Sequence, residues 1–375
     1  MKLCFLADFH AIHTLRWLRF FSERHEVHLI SLEAPKWEMG PVKEGDYAPV
    51  GVKLHLVPRT GVNKLFGPRR VKKLIREIAP DVVHAHYVTH YGYLAAKSRF
   101  RPLVMTAWGS DVLIDVHQNF MKGHQVIYAL KHADLLTSDG ENTAKALREL
   151  TNGEKNYMKI YFGVDTKRFS PDRKVPGFFD KYLKEKNGKV VINLRGFTEV
   201  YDPGTFIRAL PPVIEKFPGT VFVMARESDR RKVFEDMAAS LKIDDSVKFV
   251  GNIPYDELPK YSASADIYVS NSLSDSGISA STAEAMACGL AVISTNIGDA
   301  SYWIDEGKNG FLIEKGDSAA LAEKMIRLIS NDEMRRSFGR EARKTIEERQ
   351  DYYKEMGKME QIYAALAKGS ALPRF

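Results

Sequence analysis

The fold turns on residues 265–295: Ala265-Asp266-Ile267-Tyr268-Val269-Ser270-Asn271-Ser272-Leu273-Ser274-Asp275-Ser276-Gly277-Ile278-Ser279-Ala280-Ser281-Thr282-Ala283-Glu284-Ala285-Met286-Ala287-Cys288-Gly289-Leu290-Ala291-Val292-Ile293-Ser294-Thr295. Ala265–Ser270 is a short apolar run of buried-strand type. Small and hydroxyl residues follow it, the spacing predicts a helix over Ser279–Ala287, and Ala291–Thr295 is a second buried strand. Strand, loop, helix, strand is the repeating unit of a parallel sheet covered by helices. The alternation continues in both directions. In the second half it predicts strands Lys189–Leu194, Gly219–Ala225, Ser246–Gly251 and Gly310–Glu314 as well. In the first half it predicts Lys2–Ala7, Glu26–Leu32, Lys53–Val57, Asp81–His86, Pro102–Ala107, Asp134–Ser138 and Tyr157–Phe162. The expected class is α/β: two doubly wound, Rossmann-like domains facing one another across a cleft.

The length of 375 residues fits two domains at about 150 residues each. The boundaries read as 1–165, a linker at 166–177 rich in Pro, Gly and charge, 178–350, and a last segment 351–375. That last segment is helical by period and either closes the second domain or crosses back to the first. Hydrophobic residues make up 44% and charged residues 27%, an ordinary globular balance. The net charge of +7 resides in the first half, where 23 Lys and Arg face 17 acids up to Asp165, against 32 and 31 beyond it. Cys4 and Cys288 are far apart in apolar contexts, which argues against a disulfide scaffold or a zinc cluster. Asp8 and His10 end the first apolar run too early for a signal peptide, and no uncharged apolar stretch reaches the roughly 18 residues of a spanning helix. A cytoplasmic setting is expected, with no nucleic-acid partner.

Ligands of doubly wound sheets bind outside the carboxyl ends of the strands, where helix N-termini converge. The residues there are Asp8, His10, His13, His86, Trp108 and Asp111 in the first domain, and Arg195, Arg226, Asn271, Asn296 and the 271–276 loop in the second. Small and hydroxyl residues, Ser276, Gly277, Ser279 and Ala280, leave the first helical turn open to a phosphate. Glu284, on the second turn, is placed to accept both hydroxyls of a ribose. A Ser-capped helix with an exposed Glu is the plain alternative. Arg195 suits a diphosphate leaving group. No two aspartates stand two apart, so a metal-binding Asp-x-Asp is absent, and Arg195 with helix N-termini is expected to meet the phosphate charge without metal or cofactor. Asp8–His13 lacks the glycines of a dinucleotide site, which disfavours a dehydrogenase.

His84 and His86 share a strand face. Without a third ligand, His84 reads as a packed core histidine, and His86 as a contact to an acceptor. Ser138 and Glu141 match a capping box. Between Lys53 and Glu77 stand eight basic residues, Lys53, Arg59, Lys64, Arg69, Arg70, Lys72, Lys73 and Arg76, against one acid. With Leu65, Phe66, Val71, Leu74 and Ile75, and with Arg16, Trp17, Arg19, Phe20 and Phe21, they form a candidate patch for anionic membrane or a lipid-phosphate acceptor. A solvated amphipathic helix is the alternative.

Glu284-Ala285-Met286-Ala287-Cys288-Gly289-Leu290-Ala291-Val292-Ile293-Ser294 resembles the donor-site signature of the retaining family 4 glycosyltransferases, of GT-B fold. So do 80–87 (Pro-Asp-Val-Val-His-Ala-His-Tyr), 106–112 (Thr-Ala-Trp-Gly-Ser-Asp-Val), 162–171 and 305–313, which together span nearly the whole chain. The resemblance implies a hexosyltransferase of polysaccharide biosynthesis that moves a sugar from a nucleotide diphosphate to a glycan, lipid-linked or small polar acceptor, retaining configuration. It also implies that the last helix crosses back to the first domain. In this reading Arg195, Arg226, Asn271, Ser276, Gly277, Ile278, Ser279, Ala280 and Glu284 hold the donor. His10, His13, His86, Trp108 and Asp111 hold the acceptor, and Arg195, Asp111, Glu284 and Asp275 carry the chemistry. The protein would work at the inner membrane face through residues 53–77.

Four positions depart from the family pattern. Ser276, beside Asp275, stands where the first of two glutamates belongs, Tyr201 where a lysine does, Trp108 where a histidine does, and Tyr302 where an acid does. These forms resemble a divergent archaeal and bacterial branch. A nucleotide-sugar epimerase on the same scaffold, or a degenerate nucleotide-sugar or glycan binder, are the rival readings.

Overall fold

The computed structural model describes residues 1–32, 51–58, 63–185, 187–226, 228–275 and 277–375. It divides into two compact units, Met1–Phe162 with Tyr353–Phe375, and Gly163–Tyr352. The first carries seven strands, β1 (Lys2–Leu6), β2 (Glu26–Leu32), β3 (Val52–Val57), β4 (Val82–His86), β5 (Leu103–Ala107), β6 (Leu135–Ser138) and β7 (Tyr157–Lys159). The second carries six, β8 (Val190–Asn193), β9 (Val221–Met224), β10 (Val247–Phe249), β11 (Ile267–Ser270), β12 (Ala291–Thr295) and β13 (Gly310–Ile313). Strand order is 3-2-1-4-5-6-7 in the first sheet and 10-9-8-11-12-13 in the second, with every pairing parallel. Both orders reverse direction once, between β1 and β4 and between β8 and β11. Those are the points where such sheets open a crevice for ligands.

The strands are legible because helices cover both sheet faces. Every position of β4, β5 and β12 is buried, so the sequence there is dominated by apolar residues, with His84 and His86 of β4 among the buried exceptions. Side-chain caps start the covering helices: Asp317 accepts from Ala320 N at 2.8 Å, and Asn331 from Met334 N at 2.9 Å. The capping box expected at Ser138 and Glu141 does not form. Gly140 occupies the N-cap with no side-chain bond, Ser138 Oγ pairs with Tyr157 Oη at 2.9 Å, and Glu141 turns to Arg148 and Lys159. Two remote cations outcompete the local bond.

The segment read as a linker belongs to the second unit. Phe169 is fully buried, and Arg343 donates to the carbonyls of Thr166, Phe169 and Ala287 at 2.9, 2.5 and 2.6 Å. The chain changes unit at Gly163 and again at Tyr352. There Val164 N donates to Gln350 O at 2.8 Å and Tyr352 N to Val164 O at 2.9 Å. Gly163 has φ +71, and a Cβ on it would lie 2.5 Å from Tyr352 Cα, so no other residue fits. The last helix, Tyr352–Lys368, buries Met356, Met359, Ile362 and Tyr363, and Tyr363 Oη bonds His84 Nδ1. Glu355 accepts from Tyr161 N at 3.0 Å. His84 is thus a satisfied core residue, its Nε2 on Thr106 Oγ1 at 2.6 Å.

The apolar faces assigned to lipid point inward. Trp17 and Phe21 are fully buried and Phe20 nearly so, as are Val71 and Ile75 of the helix Asn63–Ile78. Arg59 and the side chains of Lys64, Leu65 and Phe66 lie outside the described residues. Cys4 and Cys288 are free, buried thiols. Among the described residues no helix is long and apolar enough to cross a membrane.

Candidate functional site

The carboxyl edge of the second sheet is organised around Arg195, two residues beyond β8. Its Nη2 donates to both oxygens of Asp275, at 2.7 and 2.9 Å, and its Nε to Ser272 Oγ at 3.0 Å. The guanidinium carbon stands 4.3 Å from the centroid of the Tyr201 ring. Burial pushes the Asp275 carboxyl up, and the neighbouring guanidinium pulls it back without cancelling the rise. The loop carrying Asp275 is fixed on three sides. Thr295 Oγ1 donates to Ser272 O at 2.6 Å and Leu273 N to Val200 O at 2.7 Å. Gly298, at φ +55, comes so close that a Cβ would lie 2.3 Å from Asp275 O.

Beneath the arginine, Asn193 Oδ1 accepts from Arg195 N at 3.1 Å and its Nδ2 donates to Asn271 Oδ1 at 2.8 Å. Asn271 in turn donates to the carbonyl of Asp202, the cap of the helix Pro203–Lys216. The loop then enters the helix Ala280–Ala287, where Ser279 Oγ accepts from Thr282 N at 3.2 Å. The N–H groups of Ala280 and Ser281 have no partner inside that helix, and they carry its positive dipole end. Glu284 lies on the second turn, 8% exposed. Gly277 and Ile278 are half-buried, and Ser276 lies outside the described residues. Arg226 is exposed at φ +96, its N–H bonded to Gly251 O at 2.6 Å and its stem over Gly196.

On the first unit, β1, β4 and β5 end at an aromatic cluster. His13 stacks on Phe162 at 4.5 Å between ring centroids and meets Trp108 edge-on at 5.8 Å. His86 lies between Phe5, Trp17 and Trp108. His13 Nδ1, both nitrogens of His86 and Trp108 Nε1 are buried without a hydrogen-bond partner among the described residues. Desolvation holds His86 down to about 3 and, helped by Arg16, His13 down to about 4, so both imidazoles are neutral at ordinary pH. His10 stands apart on the surface, its Nδ1 3.3 Å from Asp8 Oδ1.

Asp111 is placed differently from the expectation that it orients an acceptor. It is fully buried, and its oxygens accept from the backbone N–H groups of Val88, Trp108, Gly109 and Val112 at 2.8 to 3.3 Å. A carboxylate with its lone pairs so filled shapes the Trp108–Gly109 turn rather than facing a substrate. Burial nonetheless pushes it up to about 6. Asp115, which the sequence did not single out, accepts from Tyr87 Oη, Thr89 Oγ1 and Lys122 Nζ at 2.8 to 3.0 Å. Asn193 was missed likewise, whereas Ser272 lies in the loop the sequence pointed to. An asparagine ending the apolar run Val190-Val191-Ile192 was the available signal. Among the described residues no three His, Cys, Asp or Glu side chains gather as ligands of a metal.

Two parallel doubly wound units, each with its polar residues at the strand carboxyl ends, define the class of GT-B transferases. The chain belongs to the group 1, family-4-like glycosyltransferases: a family model for glycosyl transferases group 1 matches residues 176–345 and one for glycosyl transferase 4-like proteins matches residues 2–140. It is 23% identical over 289 residues to the N-acetyl-alpha-D-glucosaminyl L-malate synthase of Bacillus anthracis, covering 76% of this chain and 74% of that one. It is 23% identical over 343 residues to a GDP-mannose-dependent alpha-(1-6)-phosphatidylinositol monomannoside mannosyltransferase of Mycolicibacterium smegmatis, covering 85% and 86%. Its fold is similar to that of Anabaena HepE, crystallised with UDP, at a TM-score of 0.81 and 18% identity over 98% of this chain and all of that one.

Proposed function

We propose that the protein moves a sugar, with retention of configuration and without an obligatory metal or cofactor, from a nucleotide-diphosphate sugar held by the second unit to a hydroxyl of a glycan or lipid-linked acceptor held by the first. The observation that carries this is the immobilised Arg195, braced by Asp275, Ser272 and Tyr201 on the loop that ends at the open N-terminus of Ala280–Ala287. A fixed cation beside a helix N-terminus suits a diphosphate, and it stabilises the charge that develops as the sugar leaves. Glu284 holds the ribose. The departing phosphate oxygen takes the acceptor's proton, so no separate protein base is needed. Half-buried His13 and Trp108 line the acceptor edge of the first unit; His86, expected to touch the acceptor, is instead fully buried behind them among Phe5 and Trp17, and Asp111 positions Trp108. The nucleotides in relatives' names, GDP-mannose in one and UDP in a solved complex, support a nucleotide-sugar donor.

We further read the exposed cations Arg69, Arg70, Lys73 and Arg76 as a contact with anionic lipid at the cytoplasmic membrane face.

The test is thermal-shift titration with UDP, GDP, ADP and their sugars, with and without EDTA, followed by NMR of the product's anomeric configuration. A selective shift indifferent to EDTA and a retained anomer are expected. An epimer formed from donor alone would turn the reading to an epimerase, and donor binding without any release of nucleotide to a binding protein.

A further inference from the structure

We infer that Leu113, Ile114, Phe120 and Met121 form a membrane-inserting patch that seats an anionic bilayer against the acceptor edge of the first unit. The inference rests on the reading that the acceptor is lipid-linked, and it names the surface that would meet the lipid. These four large apolar side chains fall within nine residues and are 38%, 63%, 89% and 70% exposed. Single exposed apolar residues are ordinary, but a cluster is not.

The patch is firmly folded. Asp111 and Asp115 bracket Leu113 and Ile114 and tie them to the ends of β4 and β5. Asn119 caps the helix Phe120–His132 by accepting from Lys122 N at 2.9 Å, and Lys122 Nζ reaches back to Asp115 at 2.8 Å. Phe120 and Met121 are therefore presented outward from a helix whose other face, Val126, Ala129 and Leu130, is in the core.

The occupant follows from what shares that layer. Val126, Ala129 and Leu130 pack in one apolar cluster with Val71 and Ile75 of the helix Asn63–Ile78 and with Ala95 and Ala96. The helices Phe120–His132 and Asn63–Ile78, with the helix Tyr93–Ser98 that carries Ala95 and Ala96, thus cover the same face of the sheet. The outer side of Asn63–Ile78 shows Arg69, Arg70, Lys73 and Arg76, with Glu77 the one acid from Arg69 to Ile78. Apolar side chains and a row of cations on one covering layer, with the helix Tyr93–Ser98 between them, match the acyl region and headgroups of an anionic bilayer. Four side chains are also too small an area for a stable protein interface, which buries about 800 Å² on each partner. The patch begins two residues past Asp111 and five past Trp108, which puts it at the carboxyl edge of β5, the edge proposed for the acceptor.

The test uses the full chain, sedimented with vesicles of phosphatidylcholine and phosphatidylglycerol or of phosphatidylcholine alone. Binding to the anionic vesicles is expected, with a fall of about tenfold or more in the Ile114→Ser, Phe120→Ser, Met121→Ser triple variant. In Phe120→Trp, addition of anionic vesicles should shift the emission to the blue, and brominated lipid should quench it. Three results would overturn the inference: Phe120→Trp emission that vesicles leave unchanged, emission already blue-shifted without lipid, or a serine variant that sediments at a different mass, which would mark a protein contact. Nucleotide thermal shifts run on the same preparations separate this from the donor reading: their absence in the parent protein refutes donor binding whether or not the vesicles bind.

Discussion

A single nitrogen of Arg195 bonds both oxygens of Asp275, at 2.7 and 2.9 Å, while the same guanidinium holds Ser272 through Nε. The carboxylate braces the arginine and dampens its charge. Arg195→Met should lower kcat/KM by about a hundredfold or more, the scale of removing one charge-stabilising donor. Asp275→Asn keeps the shape and should cost less. The two should couple by about 1–3 kcal/mol in a double-mutant cycle on kcat/KM. Strict additivity would mean the pairing is incidental.

Gly298→Ala tests the same brace from behind. A Cβ there would press on Asp275 O at 2.3 Å in a left-handed conformation, so the loop must retreat. Weaker nucleotide binding in calorimetry is expected, together with a melting temperature lowered by only a few degrees, about 1–2 kcal/mol. Unchanged affinity would show that the loop's position is not what the ligand reads.

Glu284→Gln preserves volume and should leave melting nearly unchanged. Turnover should fall by about a hundredfold, because the amide replaces one of the two acceptor oxygens by a donor and removes the charge. Parent-like kinetics would remove Glu284 from the site.

The buried imidazoles predict a pH dependence. His13, His84 and His86 are all held below the unfolded value near 6.5, so below that pH the unfolded chain takes up protons that the native one refuses. Each costs about 1.4 kcal/mol of stability per pH unit as pH falls. Asp111, pushed up to about 6, works the other way, since its native form gains a proton first. The net from these four groups is a loss of roughly 3 kcal/mol per unit between about pH 6 and 5. Urea unfolding across that range should show it, and His86→Phe should flatten the slope by one proton. A level profile would mean that the imidazoles are already charged in the native state.

Arg343 ties three carbonyls from two separate stretches of chain, Thr166 and Phe169 in one and Ala287 in the other, with one side chain. Arg343→Met leaves those acceptors unpaired and should cost about 3 kcal/mol or more, a drop of about 6–10 °C in Tm by calorimetry. Little change would assign the linker's position to Phe169 alone.

The strands were readable from the sequence because residues such as Val82–His86 and Ala291–Thr295 are buried on both faces, and no neighbour needs to be known to see that. The direction of a helix face is different. Trp17, Phe20 and Phe21 are as apolar as a lipid-binding stripe, and only the sheet they cover shows that they face the core. Phe120 and Met121 are the converse, apolar residues that the fold leaves outside. Of the candidate site, the places of Arg195 just after a strand and of Glu284 within a helix were legible in the sequence. Asp111 could not be placed that way, because the donors that fill it include Val88 N, 23 residues earlier, and they converge only once the turn has closed. Asp275 was visible as a carboxylate in the right loop, but its bond to Arg195 spans 80 residues and is a property of the sheet order.

The pairing of His84 with Tyr363 joins residues 279 apart, across a chain that meanwhile builds the whole of the second unit. During synthesis the unit whose strands emerge first is therefore the last to be completed, since Tyr353–Phe375 follows everything else. Until then Phe5, Phe21 and His84 lack the side chain that covers them. A nascent chain of this design spends most of its elongation with an open aromatic seam.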